Sequence, residues 1–106
     1  NLQKKVRELL IEHLGVDPED IESRSMGAGG EDLIMAKAAR NAFPFSIECK
    51  NQQSVNVWAA YKQAGENSKG YEPLAVIKRN HHKPLAVVDL EAFILLNRKD
   101  DDTNRR

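Results

Sequence analysis

Two acids and one lysine are the residues of this 106-residue chain whose types and spacing could do chemistry. Glu48 and Lys50 lie in the run Phe45-Ser46-Ile47-Glu48-Cys49-Lys50. Its alternation reads as a strand, with Phe45, Ile47 and Cys49 on an apolar face and Ser46, Glu48 and Lys50 on the other. Glu48 and Lys50 therefore project together. Asp32 starts an earlier apolar run, Glu31 to Ala36, expected to be a strand paired antiparallel with the first. That pairing would set the Asp32 carboxylate beside the Glu48 carboxylate. Two adjacent carboxylates repel unless a cation lies between them. Hard divalent cations take such oxygen ligands, and magnesium keeps waters that a substrate phosphate can replace. A lysine beside that cation can orient or deprotonate an attacking water and offset charge on a pentavalent phosphate.

These residues need elements to position them. Leu2, Val6, Leu9 and Leu10 recur at helical spacing over residues 1–14, with Gly15 as the stop. Pro18 suits the first position of a helical turn, and residues 21–24 read as a short strand. Residues 25–30, Ser-Met-Gly-Ala-Gly-Gly, are a loop, and Lys37 to Ala42 reads as a lengthened turn. Ser54 is a good cap for a helix running to about Ser68, with Val57, Ala60 or Tyr61 and Ala64 as its inner stripe. Strands over Leu74–Arg79 and Leu85–Leu90 flank the turn Asn80 to Pro84, and a last short helix holds Phe93 to Leu96. The order is α-β-β-β-α-β-β-α: an α/β domain over residues 1–97 with a mixed central sheet flanked by helices, then a polar tail over 98–106.

Composition narrows the function classes. A lone cysteine excludes an internal disulfide and a cysteine-based zinc knuckle, and fits a reducing interior. No stretch approaches the roughly 20 apolar residues of a membrane span, so no membrane partner is expected. Formal net charge is +0, but it is unevenly spread. Residues 1–32 hold eight acids and four bases, whereas residues 33–88 hold eight bases and three acids. The basic middle is where a polyanion would be attracted.

The arrangement Asp32 … Glu48-Cys49-Lys50 resembles the active-site motif of the PD-(D/E)XK nuclease superfamily. The layout around it, from an acid on the first helix to the closing hairpin and helix, resembles the archaeal and phage Holliday-junction resolvases. Glu48-Cys49-Lys50-Asn51 and the Trp58-bearing helix resemble the small phage PD-(D/E)XK endonucleases. The resemblance covers roughly residues 5–96 and implies a restriction-endonuclease-like core. It implies that Asp32, Glu48 and the Cys49 carbonyl hold Mg2+ or Mn2+, completed by Glu8 or, one turn on, Glu12. Lys50 would be the catalytic lysine, Ser25 the loop serine near the scissile phosphate, and Gln63 the helical glutamine of many members. Glu31 stands where the name motif has proline. The implied activity is endonucleolytic cleavage of DNA, leaving 5′-phosphate and 3′-hydroxyl ends, on a branched substrate such as a four-way junction. The implied setting is DNA recombination inside a prokaryotic or phage-infected cell. Backbone contacts would fall to Lys37, Arg40, Lys62, Lys78, Arg79 and Lys83. Symmetric cutting of two strands calls for a homodimer. The alternatives are a nicking, repair or homing-type nuclease of the same superfamily, or a non-catalytic nucleic-acid binding protein on the same fold. Apart from any function, the plain structural reading makes Glu48 and Lys50 a surface pair on a solvated sheet face and Asp32 a turn residue capping local amides.

Overall fold

The computed structural model describes residues 1–24 and 31–98. Helix α1 (Leu2–Leu14) is capped by the Asn1 side chain and ends at Gly15, whose φ of 67° is the left-handed conformation that glycine adopts without strain. Leu2, Val6 and Leu10, one turn apart, are its buried face. A 3-10 turn at Pro18–Asp20 leads into β1 (Ile21–Ser23), which pairs antiparallel with β2 (Leu33–Met35). Helix α2 (Lys37–Ala42) then precedes β3 (Phe45–Asn51). Helix α3 (Val57–Glu66) crosses to β4 (Glu72–Lys78), which runs parallel to β3. Strand β5 (Leu85–Val87) returns antiparallel to β4, and α4 (Leu90–Leu96) follows, capped by Asp89. The chain is thus α/β, with a mixed three-stranded sheet, β3-β4-β5, and a two-stranded sheet, β1-β2.

Two faces of β3 are covered by two different helices. Phe45, Ile47 and Cys49, with Leu74 and Val76 from β4, form one core cluster with Leu2, Val6 and Leu10 of α1 and with Ile21, Leu33 and Met35. The other face carries Ser46 and Glu48, aligned with Pro73 and Ala75 of β4. A parallel pair requires a crossover, and the crossover helix lies on the sheet. Helix α3 accordingly buries Ala60 and Ala64, and Ala75 is fully buried. Ser46 and Glu48 are therefore as buried as the apolar side, at 1% and 3% exposure, where sequence alternation marks a polar face.

Three local expectations are corrected. Lys37 to Ala42 is a helix rather than a turn, since alanines at 38, 39 and 42 favour helix and no glycine interrupts them. The cap of α3 is Asn56, whose side chain accepts from the Ala59 N–H at 3.0 Å, in place of Ser54. The strand expected over residues 31–36 contracts to Leu33–Met35 and pairs with β1 rather than β3, because α2 fills the connection that a hairpin would need short. No helix of the described residues is long and apolar enough to cross a membrane.

Candidate functional site

Asp32 is where the two sheets meet. Its N–H donates to the Ile47 carbonyl of β3 at 3.2 Å, and its own carbonyl accepts from the Arg24 N–H at 2.9 Å. Its side chain then accepts from the Cys49 N–H at 2.6 Å through Oδ2. Asp32 thus reaches the edge of β3 by single bonds instead of a ladder. The Asp32 side chain therefore meets β3 at Cys49, and its charge is felt at Glu48. N–H and C=O of one strand residue point to the same edge. The Cys49 carbonyl therefore shares the Asp32 edge.

Glu48 sits on the face beneath α3. Its Oε2 lies 3.5 Å from Lys50 Nζ, whose side chain reaches solvent. Its Oε1 is buried and has no hydrogen-bond partner among the described residues. Burial drives the Glu48 pKa above the ordinary carboxylate range, and the nearby Asp32 charge adds to this; Lys50 and an approach by Asn67 only partly offset it. Such a carboxylate is short of positive charge. Cys49, between the two site residues, is inward-facing as the alternation predicts. Burial and then the charges of Asp32 and Glu48 push its thiol up to about 12, so it is a packed side chain and no nucleophile.

The remaining expected site residues divide. Glu8 does not join Asp32 and Glu48. Two positions after Val6, it points away from the buried face of α1 and lines an open groove with Glu19 and Glu22. Glu12 is likewise exposed, 3.9 Å from His13. Among the described residues no three His, Cys, Asp or Glu side chains form a metal-holding group. Gln63 is half-buried, between Ala60 and Asn67 on the α3 face that meets the sheet. Ser25 lies outside the described residues.

Arg40 is corrected outright as a DNA contact. Both terminal nitrogens clamp Glu31, at 2.8 and 2.6 Å, and its guanidinium lies 4.5 Å from the Tyr71 ring centroid. It is 8% exposed and Glu31 is 5% exposed. Burial works against the Glu31 carboxylate, but hydrogen bonds from Arg40 and Ser46 and the charge of Arg40 outweigh it and hold its pKa low. This buried pair ties α2 to the segment that presents Asp32, and sequence reading missed it. Its one signal was an acid in the place of the motif's proline. Among the other cations, Lys78, Arg79 and Lys83 gather with His82 around one groove. Lys37 and Lys62 are exposed away from it, Lys62 paired with Glu66 at 3.5 Å.

In comparisons with known proteins the chain matches no protein-family model, no curated protein and no solved structure.

Proposed function

We propose that the chain is a metal-dependent endodeoxyribonuclease of the PD-(D/E)XK type that acts inside the cell on branched DNA. The observation that carries this reading is the buried Oε1 of Glu48, unpartnered among the described residues, under the charge of Asp32 and with its twin oxygen 3.5 Å from Lys50. A fold gains nothing in stability from such a group, since buried polar atoms are otherwise paired. Asp32, Glu48 and the Cys49 carbonyl fit Mg2+ or Mn2+ as an all-oxygen donor set, and Glu8 is not needed in it. Once bound, the cation would supply Lewis-acid charge and lower the pKa of a bound water.

The chain's own groups do the rest. Asp32 is held by the strand edge, so its position is fixed before substrate arrives. Lys50 stands at the boundary between the buried acid and solvent. From there it offsets charge on the phosphate and directs the attacking water. The order of elements, with β3 and β4 parallel across α3, supports a restriction-endonuclease-like core. Apolar α4 supports a homodimer. Leu90, Phe93, Ile94, Leu95 and Leu96 are 72, 53, 57, 48 and 61% exposed, and a second copy would cover them. A second reading, a non-catalytic nucleic-acid binder, is favoured by one observation: Asp32 already serves the fold through the Cys49 N–H. Incubation with Mg2+ and linear, nicked, flap and four-way DNA separates the two. The nuclease cuts, fastest at the four-way junction, and leaves 5′-phosphates. Binding without cutting any of them overturns the proposal.

A further inference from the structure

The groove between the carboxyl end of β4 and the amino end of α3 has two chemistries. Lys78, Arg79, His82 and Lys83 form its basic side, and among the described residues no acid lines it. Val55, Val57, Ile77 and Leu85 form an apolar side. Its volume is about 210 Å³, below the roughly 300–1,000 Å³ of sites that engulf a small ligand, so it suits one part of a longer molecule. Trp58 follows Val57 on the first turn of α3 and is 85% exposed. A tryptophan so exposed is uncommon, because its ring is worth more buried.

From these we infer that the groove and Trp58 form a binding site for unpaired nucleotides of DNA, separate from the acids that cut. Duplex backbone needs cations alone. An apolar wall beside the cations, and a free indole on the residue next to the lining Val57, add what only an unstacked base can use, a surface for its ring face. The register places the site near the acids: Asn51 aligns with Lys78, three residues along β3 from Glu48. A strand gripped here at a branch or flap would lead its duplex portion toward Glu48 and Lys50. The inference rests on the nuclease reading for the choice of DNA, not for the chemistry of the groove.

Trp58 is the only tryptophan, so its fluorescence reports this site alone. In EDTA, which removes cleavage from the experiment, a labelled oligothymidylate is titrated while indole emission and label anisotropy are both followed. Emission is quenched in step with binding, and a blunt duplex of equal length quenches several-fold less. Trp58→Ala weakens oligothymidylate binding by about tenfold, and Arg79→Ala with Lys83→Ala weakens it at least as much. Both sites are exposed, so these variants keep the fold. Anisotropy that rises with no change in emission, equal quenching by the duplex, or no binding overturns the inference. Cleavage of duplex by the wild type in Mg2+ would in those cases leave the nuclease reading standing.

Discussion

Replacing Glu48 by glutamine should make the metal-free protein more stable near neutral pH. The opposing energies are close. Lys50 at 3.5 Å attracts the carboxylate by about 5 kcal/mol at an effective dielectric constant of about 20. Burying a carboxylate costs several kcal/mol, and the Asp32 charge adds to that cost. The raised pKa says that the cost wins. A carboxyl whose folded pKa exceeds its unfolded one contributes stability below the unfolded value and loses it as pH rises through the folded value. At about pH 8, far above the unfolded value, this group therefore costs the wild type stability, and an oxygen orphaned among the described residues sets about 1 kcal/mol as the low end of that cost. Glu48→Gln removes the charge and should gain about 1 kcal/mol in urea unfolding with EDTA at about pH 8. Toward about pH 3, below the ordinary value of the unfolded carboxyl, the gain should disappear. Adding Mg2+ reverses the order, because only the wild type gains about 2.7 kcal/mol at a hundredfold excess over Kd. A variant less stable than wild type at both pH values, or equal stabilisation of both proteins by Mg2+, would refute the reasoning.

Three other outcomes are expected. Arg40→Ala strands Glu31 and should cost about 3–5 kcal/mol in urea unfolding, whereas Lys83→Ala should leave stability within about 0.5 kcal/mol and weaken DNA binding measured by anisotropy. Lys50→Ala should slow single-turnover cleavage on the order of 100-fold with little change in Mn2+ affinity by calorimetry, since the lysine is no ligand. Phe93→Glu with Leu96→Glu should shift a dimer to monomer in sedimentation velocity, and a wild type that sediments as monomer at micromolar concentration would remove the twofold arrangement.

Much of the architecture was legible because it follows from short-range rules. Gly15 ends α1, Pro18 opens a helical turn, and the alternation of Phe45 to Lys50 is a strand, all as the residues predict, whereas the strand expected over Leu85–Leu90 stops at Val87 and Asp89 caps α4. What misled was the partner of each strand. Local pattern gives the period of β2 but not whether β1 or β3 takes its hydrogen bonds, and α2 decided that. The burial of Ser46 and Glu48 depends on α3 lying over them, a long-range fact hidden in a polar-looking alternation. At the site, the spacing of Glu48 and Lys50 was sufficient to predict their pairing, and that of Asp32 with the Cys49 edge was not. Arg40 and Lys83 carry the same charge in sequence, yet one is locked against Glu31 and the other lines an open groove. Only the fold separates them.

The central claim is that Glu48, with Asp32 and Lys50, cuts DNA. It is tested most directly by the single-turnover rate on a labelled four-way junction in Mg2+, wild type beside Glu48→Gln prepared identically, with binding of the same junction followed in Ca2+. The account predicts cleavage by the wild type and a loss on the order of 1,000-fold or more in the variant, with junction binding retained or tighter. Equal rates for the two proteins, or no cleavage by a wild type that binds the junction, would contradict it.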